Sequence, residues 1–134
     1  MELVFKLTNV NWYPAQVDYL LHQPAGPVGR DLARRGRKVL MAATMQVGVD
    51  TGRLKKSLKM THERSGRGQF VMVGSKLNYA LMHHEGTRPH IITPNRAQVM
   101  VFNKGPRVIY TTSVRHPGTK ANRYLKDNLY LALD

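Results

Sequence analysis

Four short motifs punctuate this chain in a fixed order, and each marks a place where the backbone must turn and a new element begin. Val49-Asp50-Thr51-Gly52-Arg53-Leu54-Lys55-Lys56-Ser57-Leu58 comes first, followed by Val73-Gly74. Tyr79-Ala80 with Glu85-Gly86-Thr87-Arg88-Pro89-His90 is third, and His116-Pro117-Gly118-Thr119 is last. Glycine and proline at such corners stop regular structure for opposite reasons, one by freedom and the other by constraint. None of the four pairs a nucleophile with a base, frames a phosphate loop or spaces ligands around a metal. The search for function therefore begins with shape and surface rather than with an active site.

Between the corners, periodicity assigns the elements. Leu3, Phe5 and Leu7 alternate with Lys6 and Thr8, which predicts a first strand over residues 2–10. Ala15 to His22 predicts a short helix with Val17, Leu20 and Leu21 inward, ended by Pro24-Ala25-Gly26-Pro27. The clearest element is a helix from Val28 to Val47, whose apolar stripe is Val28, Leu32, Val39, Ala43 and Val47. Arg30, Arg34, Arg37 and Lys38 lie on another face of it. Gly36 costs this helix about 1 kcal/mol relative to alanine, which implies close packing or a slight bend there.

Asp50 or Thr51 is placed to cap a short helical turn in which Leu54 and Leu58 face in and Arg53, Lys55, Lys56 and Lys59 face out. Lys59 to Gly74 reads as a hairpin with a doubly basic tip at Arg64-Ser65-Gly66-Arg67-Gly68. Tyr79 to Glu85 reads as a short helix stopped by Gly86. Three strands follow at residues 90–94, 99–102 and 108–110, with a turn at Asn103 to Pro106 between the last two. Thr119 is placed to cap a final helix running to Leu133, with Ala121, Leu125, Leu129 and Ala132 inward and Tyr124 and Leu131 beside them. The expected architecture is α+β: a mostly antiparallel sheet of 4–5 strands packed by one long helix and a C-terminal helix, in a single domain over residues 1–134.

Charge is the loudest compositional signal. Lys and Arg number 21 against 8 Asp and Glu, a formal net charge of +13. Such a field attracts polyanions and acidic protein faces and is silent about fold. The candidate contacts are the basic helix face, Arg30, Arg34, Arg37 and Lys38, and the denser group Arg53, Lys55, Lys56, Arg64 and Arg67. The chain has no cysteine, which removes disulfides and thiolate sites. No apolar run approaches the length of a membrane span, and Met1 to Lys6 lacks the shape of a signal peptide, so no membrane partner is expected.

Catalytic chemistry finds little purchase. His84-Glu85 followed by His90 has the letters of a zinc-protease site but a separation of six, with Gly86 and Pro89 between, where that site needs two histidines four apart on one helix. A histidine-only site from His83, His90 and His116 is the remaining metal reading; hydrogen bonding of these rings to loop backbone is the simpler one. Ser57, Ser65, Ser75 and Ser113 lack the frame of a nucleophile elbow. Gly66-Arg67-Gly68 lacks the strand-to-helix setting of a phosphate loop. Trp12, Tyr13 and Phe70 are scattered rather than interleaved with the basic clusters, so any nucleic-acid contact is expected through phosphates, without sequence preference. No cofactor and no enzymatic activity are expected.

Taken as an ordered set, the motifs resemble those of the neck and tail-completion proteins of long-tailed bacteriophages. The matching positions are Asp50, Thr51 and Gly52 with Arg53-Leu54 after the long helix, Val73-Gly74, Tyr79-Ala80, Glu85-Gly86-Thr87 before the last strands, and His116, Pro117, Gly118 and Thr119 before the final helix. Residues 27–134 carry the resemblance, and residues 1–26 lie outside it. The chain departs from the family's pattern at His83-His84-Glu85. The resemblance implies a structural virion protein at the head–tail joint, made in the host cytoplasm and acting as a neck protein or tail terminator. It implies a hexameric ring that joins the connector or stopper to the tail tube, with genome DNA passing through its lumen. A free-standing, basic, non-sequence-specific nucleic-acid-binding protein is the alternative, and a small metal-dependent enzyme is a third.

Overall fold

The computed structural model describes Asn11 and residues 13–66 and 68–133. The strand expected over residues 2–10 and the basic tip residue Arg67 lie outside the described residues. The elements run α1 (Pro14–His22), α2 (Pro27–Gln46), α3 (Arg53–Ser57), β1 (Lys59–Ser65), β2 (Gly68–Gly74), α4 (Ala80–Glu85), β3 (His90–Ile92), β4 (Met100–Lys104), β5 (Arg107–Thr111), β6 (Val114–His116) and a 3₁₀ helix (Lys126–Ala132). The class is α+β, and every described strand pair is antiparallel.

Helix α2 is the backbone of the packed region. Pro27 opens it at the first helical position, where its missing N–H leaves nothing unsatisfied. At its far end Val47 swings into extended backbone while its N–H still reaches the Ala43 carbonyl at 2.9 Å. Val39, Ala43 and Val47 are buried as the stripe predicts, and Val28 and Leu32 are half-buried. Gly36 is a contact point rather than a bend. A methyl there would come within 2.5 Å of Val71 Cγ1 and 2.8 Å of Met60 Sδ, so the β1–β2 hairpin lies directly on the helix. Leu54 and Leu58 join the same core, with Ala80 from α4 and Tyr124, which is 1% exposed.

Three sequence expectations change in detail. The strands make three separate two-stranded ladders, β1–β2, β3–β6 and β4–β5, rather than one sheet of 4–5 strands. Alternation and turn residues define strands and hairpins locally, whereas the joining of ladders is a long-range matter that local pattern does not carry. β6 stands where no strand was expected, just ahead of and into the His116 turn, since three residues give too short an alternation to detect. The last helix is also shorter and tighter than expected. It is 3₁₀, begins at Lys126, and has no side-chain cap. Thr119 does not cap it because Thr119 is bound elsewhere, as described below.

On α1, Leu20 and Leu21 are exposed rather than inward, and Val17 is half-buried. Likewise α3 starts on Gly52 in left-handed backbone with no side-chain cap, so neither Asp50 nor Thr51 plays the capping role.

Candidate functional site

The third and fourth motifs fold into one structure. Thr87 and Thr119 exchange backbone hydrogen bonds, Thr87 N–H to Thr119 O at 3.0 Å and Thr119 N–H to Thr87 O at 3.1 Å. Their hydroxyls meet at 3.0 Å. The glycines explain why these residue types stand there. Gly86 (φ 74°) and Gly118 (φ 87°) both adopt backbone that side chains avoid. A methyl on Gly118 would sit 2.2 Å from Thr87 O, and one on Gly86 would sit 2.6 Å from Thr119 O. Beyond the clasp, His90 and His116 face each other across β3–β6 with ring centroids 5.0 Å apart.

The rings of His84, His90 and His116 each bond backbone at this junction. His90 Nδ1 donates to the Arg88 carbonyl at 2.9 Å, and His116 Nδ1 accepts from the Gly118 N–H at 3.0 Å. His84, buried, bonds Glu85 through Nδ1 at 2.9 Å, while its Nε2 accepts from the Lys126 N–H at 3.3 Å. Arg123 reaches the other oxygen of Glu85 at 3.6 Å. His83 packs instead against Tyr124, ring centroids 5.8 Å apart. Among the described residues no group of three or more His, Asp or Glu is gathered to hold a metal. Burial raises the Tyr124 phenol above its ordinary range, and its hydroxyl donates to Ala80 O at 3.3 Å. These motifs therefore lock α4 to the C-terminal segment, while the buried His83 Nδ1 finds no hydrogen-bond partner among the described residues.

The candidate basic contacts divide into distinct places. On α2, Arg30 and Arg37 are exposed and Lys38 is half-buried. Arg34 bonds Asp31 at 2.7 Å, and Arg35 joins the same carboxylate. Those two guanidiniums hold the Asp31 carboxyl below its usual range, Arg34 foremost. Arg64 was expected among the outward contacts of the hairpin tip. It pairs with Asp18 on α1 at 2.9 Å while its side chain stays half exposed, and Gln69 on the opposing strand donates to Leu21 O at 2.9 Å. The hairpin tip is thus docked on α1, because Asp18 is one of the few carboxylates available to a chain so rich in cations.

Arg53, Lys55 and Lys56 are exposed as expected. Arg53 and Lys56 share an open groove of about 420 Å³ with Lys59 and Lys76, floored by Ser57 and Leu77. Lys76 escaped the sequence reading because it sits alone after the Val73-Gly74 corner, twenty residues along the chain from Lys56. A relay of hydroxyls brings the two together. Ser57 Oγ donates to Leu54 O at 2.7 Å, so its contact with Ser75 Oγ, also 2.7 Å, is one that Ser75 donates. Ser75 in turn accepts from the Leu77 N–H at 3.1 Å.

A second surface was also missed. β4 and β5 pack chiefly on each other, and no other described element makes a substantial contact with either. The ladder is nonetheless apolar on both faces. Met100, Phe102 and Ile109 lie on one, and Val101 (56% exposed), Val108 and Tyr110 (69% exposed) lie on the other. The available signal was composition: Val99-Met100-Val101-Phe102 and Val108-Ile109-Tyr110 are nearly continuous apolar runs, where a hairpin with one wet face would alternate. Comparison with known protein families, with curated proteins and with solved structures finds no match to this chain.

Proposed function

We propose that this chain is a structural ring subunit of the head–tail joint of a long-tailed bacteriophage, a neck or tail-completion protein. Its work is assembly rather than catalysis. Copies associate into a closed ring, expected to be hexameric, that meets the connector or stopper on one side and the tail tube on the other, with genome DNA in the lumen. The ordered motif set supports the family. The observation that carries the assembly role is the β4–β5 ladder, apolar on both faces and packed on nothing else of substance among the described elements.

An isolated two-stranded hairpin is at best marginally stable in water, and an apolar face left wet is an interaction site or a liability. The total surface supports the same reading. A compact monomer of this mass exposes about 7,100 Å², whereas this chain exposes 11246 Å². The thirteen undescribed residues account for at most about 2,100 Å² of that even if fully extended. The remainder still exceeds a monomer's share by more than a quarter. A ring places a second copy against each exposed arm through one repeated contact, which closes without leaving an open end.

Sedimentation and native mass measurement test the proposal, with the protein alone and with its tail-tube and connector neighbours. The expected result is one defined multimer, present in the particle at the joint. A chain that stays monomeric with every neighbour and is missing from the virion overturns it.

A further inference from the structure

We propose that the groove between α3, β1 and the segment linking β2 to α4 is a binding site for the phosphate backbone of nucleic acid. Arg53, Lys56, Lys59 and Lys76 converge on it, and none of the four has an ion pair among the described residues. Among the described residues no carboxylate lines it. Asp18, Asp31 and Glu85 are each already engaged with cations of their own regions. Four unneutralised cations held around one cleft repel one another, and the fold maintains them there through the Leu77–Ser75–Ser57–Leu54 relay. That relay fixes Lys76, next to Ser75, beside Lys56 and Lys59, which flank Ser57 along the chain. A second groove of about 410 Å³ shares Ser57, Lys59 and Lys76 and continues over Thr61 and Met72, so the cations sit along a track rather than around a closed pit.

The occupant follows from the chemistry of the lining. A second copy of this chain is a poor counter-charge, since it too carries 21 cations against 8 acids. An acidic protein face is the other polyanion available. Protein interfaces, however, deplete lysine at their cores and seat apolar or aromatic anchors there, and among the described residues Leu77 is the only apolar side chain lining the basic groove. Three lysines and an arginine acting as point charges, with no side chain set to read a base edge, suit successive phosphates. Binding is therefore independent of sequence and strongly salt-dependent. The site does not depend on the ring proposed above.

Fluorescence anisotropy with a labelled mixed-sequence duplex of about 20 base pairs, titrated across salt concentrations, tests the assignment. Four phosphate contacts give a log affinity against log salt slope of about −3.6, and the double variant Lys59→Gln/Lys76→Gln halves it to about −1.8. Low-salt affinity falls at least about tenfold with it. The control Arg96→Gln/Lys120→Gln removes the same charge from exposed positions outside the groove and leaves the slope within about half a unit of wild type. Ser75→Ala, which keeps every charge but cuts the relay, weakens binding and leaves the slope near wild type.

Equal slope losses in the two double variants mean that net charge alone binds DNA, and they overturn the site. So does an absence of DNA binding at low salt. Tighter binding of poly-glutamate than of DNA, lost in the same double variant, assigns the groove to an acidic protein and overturns the nucleic-acid occupant. Sedimentation of the same samples reports assembly separately, so a failed groove and a failed ring are told apart.

Discussion

Two hairpins in this chain stand in opposite circumstances. β1–β2 lies on α2, with Val71 and Met60 pressed against Gly36, and its tip is pinned to α1 by Arg64 and Gln69. β4–β5 is the richer of the two in apolar residues and packs chiefly on itself. The first is held by tertiary contacts of its own chain. The second carries apolar surface that no other described element covers, which is the ground of the proposed assembly role. Near-continuous apolar runs, against the mostly polar β1, thus mark the hairpin that the other described elements leave bare.

Substitutions can break that comparison, and the largest effect belongs to the packed region. Tyr124→Ala empties the site of the largest fully buried side chain and should cost about 3–5 kcal/mol in urea unfolding. Tyr110→Ala on the free hairpin should leave monomer stability within about 0.5 kcal/mol, while lowering the multimer fraction in sedimentation. If Tyr110→Ala unfolds the monomer instead, the hairpin is not a free arm.

Gly118→Ala probes the clasp that joins the two turn motifs. It forces a methyl toward Thr87 O in backbone that alanine avoids, and should cost about 2 kcal/mol. A stability equal to wild type in the same urea titration would mean that the clasp is dispensable.

Tyr124→Phe keeps the volume and removes the hydrogen bond to Ala80, a loss of about 1 kcal/mol. The pH dependence sharpens this. Burial raises the Tyr124 pKa in the folded state above the ordinary value of 10.0. The folded form therefore holds its proton where the unfolded form has lost it, so this contribution is complete below pH 10.0 and lost as pH climbs through the folded value. Alkaline unfolding should begin at lower pH in wild type than in Tyr124→Phe, read by circular dichroism.

The smallest effect is at the acid end, on the exposed pairs. Asp31 is held below its ordinary 3.8 by Arg34 and then Arg35. Asp18 is held below the same value by the Gln23 amide foremost, with His22 and Arg64 adding to it. Both contributions are present above pH 3.8 and disappear as pH falls through the depressed folded values. Asp18→Asn should release the hairpin tip from α1, detectable as faster amide exchange at Arg64 and Gln69, with little change in global stability.

Much of the fold was legible because its causes are local. The α2 stripe, the inward Leu54 and Leu58, the β1–β2 hairpin and the short α4 helix all follow from spacing and turn chemistry, and the structure places them within a residue or two of expectation. The C-terminal segment was misread for an equally physical reason. Ala121, Leu125 and Leu129 have helical spacing, yet Thr119 is drawn into the Thr87 bridge and Asn122 into bonds with Gln46 and His83. Those contacts hold residues 119–123 out of helix and make Tyr124, rather than Leu129, the buried anchor. The basic cluster was legible as a density of charge. Its fourth member was not, because Lys76 arrives through a serine–serine hydrogen bond spanning eighteen residues.

By itself the sequence determined the helices as far as Glu85, the two tight hairpins, the places where glycine must stand and the excess of positive charge, since each depends on neighbours within a few residues. Tertiary structure alone decided which ladders stay apart, which arginine is consumed by Asp18, and which lysines share a groove. Those outcomes rest on contacts between residues tens of positions apart, whose free energies come from packing and charge pairing rather than from any local preference of the chain.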